Sequence, residues 1–293
     1  MTLTSREIAS QPAIWREALE TRSARATELL TLPGQRVLVL GCGTSAYLAE
    51  SFAALRERAG FGMTDAAYAS EPWPWRDYDA VVLLSRSGTT TEVIDALDAL
   101  PEGVRTIAVT GVADSPVADR VDDVLLLDFA DEESVVQTRF PTTFLLLARA
   151  ALGEDVAGLP DEAEAALALP LDVDTERLSH FVYLGSGWTH GLAQEAALKI
   201  REAAQAWSES YPALDYRHGP LAVADERSLV WIIGPAEPSL PADIERTGAT
   251  VRVSTHDPLV ELANAQRLAV AIAAHRGLDP DNPRHLTRSI VLG

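Results

Sequence analysis

The sequence contains a single lysine, Lys199, so chemistry that needs a neutral side-chain amine has one candidate. It also contains a single cysteine, Cys42, which excludes an internal disulfide and fits a cytoplasmic protein. Basic side chains are scarce: 24 against 43 acidic residues, a formal charge of −19. Such a field repels nucleic acid and anionic membrane surfaces, so an anionic ligand has to be captured by local donors. No apolar run approaches the ~18 residues of a spanning helix, and the opening "MTLTSREIASQPAIWREALE" has no signal-peptide core. Histidines are few, and His180, His190, His218, His256, His275 and His285 show no metal-ligand spacing with one another or with Cys42. Neither a metal nor a cofactor is expected.

What is present is a globular composition, 47% hydrophobic with 6 tryptophans, enough for one large core or two ordinary ones. Short β-rich runs at 36–40, 80–84, 105–109, 123–127, 181–184, 229–233 and 250–254 alternate with Ala/Leu/Glu segments of helical spacing. That alternation predicts an α/β fold, parallel sheet covered by helices. Residues 1–34 read as a helical lead-in, 35–160 and 170–293 as two domains, and the acidic, Pro-containing stretch 154–175 as the connection between halves. The halves resemble each other. At an offset of 144, "LVLGCGTSAYLAESFAALRERA" lies over "VYLGSGWTHGLAQEAALKIREA", pairing Gly41 with Gly185 and Gly43 with Gly187. A shared order of apolar run, G-x-G and helix points to a duplicated unit.

Two loops attract chemistry. "GCGTSA", Gly41 to Ala46, formally matches a dinucleotide-binding turn, yet the acidic ribose partner expected about 20 residues on is offered only by Glu71, later than the pattern asks. A tight strand-to-helix turn without a ligand explains it equally. In "LLSRSGTTTEV", five of the seven residues from Ser85 to Thr91 carry hydroxyls beside Gly88. At a strand end that opens a helix, such hydroxyls and free N–H groups suit a phosphate monoester. The alternative is an N-capping cluster with Glu92 in a capping box. No G-x-x-x-x-G-K-[ST] motif occurs.

In the second half, a helix is predicted over 191–207. Glu195, Lys199 and Glu202 then stand at i, i+4 and i+7 on one face, a spacing shared by catalytic groups and by a solvated salt-bridged stripe. His218, in "YRHGP", is either a turn residue or a proton-transfer group titrating near neutrality.

With "LGCGTS", "LSRSGTTTE" and "QEAALKIREAAQAWSESYPALDYRHGPLAV" in the same order, the chain resembles the sugar isomerase (SIS) domain family, in particular the isomerase part of glucosamine-6-phosphate synthases. "REIASQPAIW", "VVQTRFPTTFLLL" and "GLDPDNPRHLTRSIVLG" are similar to its lead-in, post-loop segment and tail. The resemblance implies two flavodoxin-like subdomains and a phosphosugar substrate. It implies a phosphate cradle of Ser85, Arg86, Ser87 and Thr90 with Thr44 and Ser45 on the first turn. Glu202 falls at the catalytic glutamate, and His218 at a ring-opening histidine given to a neighbouring subunit, hence a homodimer. The chain departs from the synthases in lacking a glutaminase segment, so glutamine-dependent amination is not expected, nor is there room before Arg36 for a DNA-binding domain. Arg86 replaces a glutamine, bringing a charge-assisted donor. Arg288 replaces a lysine able to act on the sugar carbonyl; an arginine forms no Schiff base and is expected to assist electrostatically.

The reading is a phosphosugar aldose–ketose isomerase or amino-sugar-phosphate deaminase/isomerase on a hexose 6-phosphate, working by enediol-type proton transfer with catalytic Glu202, His218, Lys199 and Arg288. A noncatalytic phosphosugar-binding protein, a deglycase of phosphorylated Amadori compounds and, more remotely, a nicotinamide-dependent oxidoreductase are the alternatives.

Overall fold

The structure, a computed structural model, describes residues 1–171 and 173–292. Two helices, α1 (Leu3–Thr21) and α2 (Ser23–Leu30), precede β1 (Val37–Gly41), α3 (Thr44–Arg58), β2 (Thr64–Tyr68), β3 (Ala80–Leu84), α4 (Thr91–Asp98), β4 (Arg105–Thr110) and β5 (Asp123–Leu126). Helices α5 (Arg139–Ala151) and α6 (Leu159–Ala168) lead to β6 (His180–Gly185), α7 (Thr189–Ala204), β7 (Trp207–Pro212), β8 (Ser228–Ile233), α8 (Leu240–Glu245), β9 (Thr250–Val253) and α9 (Pro258–His275).

The strands form two wholly parallel sheets, ordered β2-β1-β3-β4-β5 and β7-β6-β8-β9. The first is the flavodoxin-like order, in which ligands bind where neighbouring strands send their chains to opposite sides, at the carboxyl ends of β1 and β3. Both loops singled out from the sequence leave the sheet there. All seven expected strands are present; β2 and β7 are additional. Both are edge strands and half exposed, so "TDAAY" and "WSESYP" lack the continuous apolar run that marks a buried parallel strand.

The sheets share one core. Val37, Val39, Val82 and Val109 of the first sheet and Phe181, Tyr183 and Trp231 of the second belong to one buried cluster with Trp15, Phe52, Phe144, Leu192 and Leu268 from the intervening helices. Smaller clusters, one around Leu40, Leu83 and Val93 and one around Leu184, Ile232 and Leu240, cover the outer faces. Helices α3 and α7 cross closely at Gly191, where a Cβ would stand 2.3 Å from Tyr47 O and from Ser51 Oγ.

Two sequence expectations shift. The helix expected over 191–207 stops at Ala204, because Gln205 turns left-handed (φ 47°, ψ 40°) and releases the chain into β7. The connection 154–175 holds a helix, α6, whose Leu159, Ala163 and Ala166 are buried in the central cluster.

The N-terminus and the tail are tied together. Asp281 accepts from Leu3 N (2.7 Å) and Thr4 N (2.8 Å), satisfying amides that α1 leaves free. Among the described residues no helix is long and apolar enough to cross a membrane.

Candidate active site

Strand β1 ends in a turn that only glycines permit. A Cβ on Gly41 would lie 2.6 Å from Ser45 C, and Gly43 has φ +54°. This brings Thr44 and Ser45, both buried, to the start of α3. Between the glycines, burial pushes the Cys42 thiol up to about 11, which disfavours the thiolate.

Thr44 meets α7. Lys199 Nζ donates to Thr44 Oγ1 (3.1 Å) and to Glu202 Oε2 (2.6 Å), and lies 3.2 Å from Glu195 Oε1. The i, i+4, i+7 stripe is therefore not a solvated face: the side chains of Glu195, Lys199 and Glu202 are 0%, 1% and 20% exposed. Burial pulls the Lys199 ammonium down, but the two carboxylates more than offset it and its pKa is raised. Burial likewise pushes Glu195 up to about 7, with Lys199 opposing and Glu202 reinforcing the rise. Neither Glu195 oxygen makes a well-aligned hydrogen bond. The arrangement is a buried ammonium between two carboxylates, one enclosed and titrating near neutrality, the other reaching toward solvent.

The hydroxyl loop follows β3. Gly88 (φ +64°) lets it turn, and a Cβ there would strike Ser115 Oγ at 2.1 Å. Thr90, rather than Thr89, is the N-cap of α4 and makes no side-chain bond to the helix amides, so the capping box with Glu92 does not form. The C-terminal tail lies across this loop. Ser87 Oγ is 3.1 Å and Thr89 Oγ1 2.8 Å from Ser289 Oγ, Thr91 N donates to Ile290 O, and Leu292 N donates to Thr91 Oγ1.

Arg86 is buried, not solvent-facing, and both its Nη atoms donate to main-chain carbonyls: Nη1 to Ser134 O (2.9 Å), Nη2 to Arg288 O (2.8 Å). Burial pulls its guanidinium below the ordinary arginine range. Arg288 in turn donates to Glu132 O (2.9 Å) and to both oxygens of Asp131 (2.6 Å each). Glu132, pushed up by burial, accepts from Thr138 N and Arg139 N at the start of α5. The two arginines thus bind loop, tail and the segment 131–138 into one wall. The Arg288 charge is engaged by Asp131, whereas Arg86 Nε is buried without a partner.

His218 stands apart, exposed on a short helical turn (Asp215–His218) after β7. The structure thus forms two clusters, Thr44 with Glu195, Lys199 and Glu202, and Ser85 to Thr91 with Arg86, Arg288 and Ser289. They occupy adjoining strand ends of one sheet. Sequence reasoning missed Asp131 and Ser289, which Arg288 and Ser87 engage. Their contacts span long loops that no local spacing reveals.

This doubly wound sheet with polar turns at its switch point defines a class of small-ligand α/β proteins. Residues 32–152 match the SIS domain. Over its length it is 28% identical to the glutamine–fructose-6-phosphate aminotransferase (isomerizing) of Bradyrhizobium diazoefficiens, covering 98% of this chain and 58% of that one. It is also 28% identical to that of Pyrobaculum aerophilum, covering 98% and 57%. The chain thus spans little more than half the length of these relatives. Among solved structures, glucosamine-6-phosphate deaminase from Thermotoga maritima matches at TM-score 0.88 and 28% identity, over 99% of this chain and 100% of that one. Tagatose-6-phosphate ketose/aldose isomerase from Escherichia coli shares the fold, at TM-score 0.79 and 21% identity, over 100% and 96%.

Proposed function

We propose that this protein catalyses proton transfer between C1 and C2 of an open-chain hexose 6-phosphate, as an aldose–ketose isomerase or, on an amino sugar, as a deaminase/isomerase. The observation that carries this is the buried Lys199 held between Glu195 and Glu202 beside Thr44. In the isomerisation, Glu202 takes the proton from C2 and the electron pair forms the C1–C2 double bond of an enediol as O1 takes a proton from water; the same carboxyl then returns its proton to C1 as O2 gives its proton back to water and becomes the carbonyl. With an amine on C2, the corresponding step yields a C2 imine, which water hydrolyses to ketose and ammonia. The likeness to the Thermotoga maritima deaminase favours this second course.

Each remaining group has a task. Lys199, raised and therefore protonated, orients Glu202 and is a poor nucleophile, which supports an enediol path over a lysine imine. Glu195, poised near neutrality, can exchange the proton between turnovers. The hydroxyls of Ser85, Ser87 and Thr90 hold the phosphate, with Thr44 and Ser45 on the neighbouring turn. Arg86 and Arg288 position the wall and tail around the sugar. His218, exposed on its own chain, opens the ring in the site of a second subunit, so the working unit is a homodimer.

The test is solvent deuterium exchange and ammonia release over fructose 6-phosphate and glucosamine 6-phosphate. Deuterium at C1 or C2, with no borohydride-trapped adduct on Lys199, is the expected result. A trapped adduct would overturn the enediol mechanism. Binding of the sugars, read as a raised melting temperature, without exchange or ammonia would favour the noncatalytic binding protein.

A further inference from the structure

The tail that crosses the hydroxyl loop presents its own oxygens to the loop's donors. Thr89 Oγ1 donates to Ser87 Oγ (3.0 Å), Ser87 Oγ donates to Ser289 Oγ (3.1 Å), and Ser289 Oγ lies 2.8 Å from Thr89 Oγ1. A hydroxyl has one proton to give. The first two bonds place the Thr89 and Ser87 protons, so the third runs from Ser289 to Thr89 and closes a ring of three. Within that ring no O–H is left over for a ligand. The next residue engages an amide in the same way: Ile290 O accepts from Thr91 N (3.1 Å), the first residue of α4.

Contacts outside the ring set the tail in this position. Arg86 Nη2 donates to Arg288 O (2.8 Å), Thr287 Oγ1 to Ser289 O (2.8 Å) and Leu292 N to Thr91 Oγ1 (2.9 Å). A phosphate monoester dianion brings acceptor oxygens and no protons, so it binds this loop only by taking over donors that now point at the tail or at one another. Hydrogen bonds to an ionised oxygen are stronger than those to a serine hydroxyl or a peptide carbonyl, and the exchange is favourable for that reason. What the tail gives up is subtracted from the affinity that remains.

We propose that Ser289 sets the affinity of the phosphate loop as an internal competitor: its hydroxyl engages Ser87 and Thr89 in the free protein and withdraws when a phosphate monoester binds. This rests on the reading of the hydroxyl loop as the phosphate site. The apparent affinity is then the intrinsic one multiplied by the fraction of molecules whose loop is free of the tail. Calorimetric titration with fructose 6-phosphate of the wild type, Ser289→Ala and Ser289→Thr tests it. Ser289→Ala should bind about fivefold tighter, the scale of one hydrogen bond, and Ser289→Thr, which keeps the hydroxyl, should bind like the wild type. Amide hydrogen exchange over residues 286–292 supplies a second readout and should quicken when fructose 6-phosphate saturates the protein, as the tail leaves the loop. Unchanged or weaker binding by Ser289→Ala, equal tightening in Ser289→Thr, or slower exchange of the tail with ligand bound would overturn the competition alone. Absence of binding by the wild type and both variants would remove the phosphate reading of the loop together with it.

Discussion

The two halves build the same turn and put it to different uses. After β1 and after β6 the chain runs Gly-x-Gly into a helix. A Cβ would stand 2.6 Å from Ser45 C at Gly41 and 2.2 Å from Thr189 O at Gly185, and the second glycines have φ +54° and +57°. In the first half the turn is followed across the sheet by the hydroxyl loop. In the second, Trp188 stands at the position equivalent to Thr44, under the Arg149 guanidinium (5.0 Å), which Asp257 and Glu154 engage. Thr189 Oγ1 turns back onto Ser186 N (2.9 Å), and the loop after β8 reads "GPAEPS". A shared backbone therefore does not imply a shared ligand. Side chains decide which strand end stays open to polar chemistry, and the second half contributes through the face of α7 instead.

Four substitutions or titrations would break or sharpen this contrast. The largest effect is expected from Lys199→Met, which leaves two carboxylates of α7 without their cation. Loss of about 3–5 kcal/mol of stability is expected, the scale for breaking a buried ion pair. Denaturant unfolding measures it, and the loss should be greater at pH 8 than at pH 6, where Glu195 can take a proton instead.

Glu202→Gln comes next: turnover should fall ~10²-fold or more while sugar-phosphate binding persists. Wild-type turnover in this variant would remove Glu202 as the base.

Glu195 makes stability depend on pH. Its folded pKa, about 7, lies above that of an unfolded glutamate, so between those values the folded state binds the extra proton and stability falls as pH rises. One proton gives a slope of at most about 1.4 kcal/mol per pH unit. Glu195→Gln should flatten this part of the stability profile, as followed by unfolding from pH 5 to 8.

The smallest effect contrasts the two strand ends directly. Ser87→Ala with Thr90→Val should weaken fructose 6-phosphate binding about tenfold, the worth of a hydrogen bond or two. Thr189→Val in the second half should leave that affinity unchanged. Equal losses in both would mean that the halves do not differ as the side chains indicate.

Much of this was legible without coordinates where the constraint is local. The G-x-G turns, the seven β-rich runs and the hydroxyl loop each follow from neighbouring residues. Strands β2 and β7 were not legible, because "TDAAY" and "WSESYP" carry no continuous apolar run. Arg86 read as a phosphate contact, and its contacts with Ser134 O and Arg288 O depend on segments distant in the chain.

By itself the sequence determined the alternation of strand and helix, the two glycine turns and the presence of one lysine on a helical face with two glutamates, since backbone sterics and residue spacing act over a few positions. Only the tertiary structure decided that this face is buried against Thr44. It alone laid Ser289 over Ser87 and engaged Arg288 with Asp131. The physical reason is that burial sets both the charge state of Glu195 and the partners of Lys199, and burial is a property of packed helices and not of spacing along one of them.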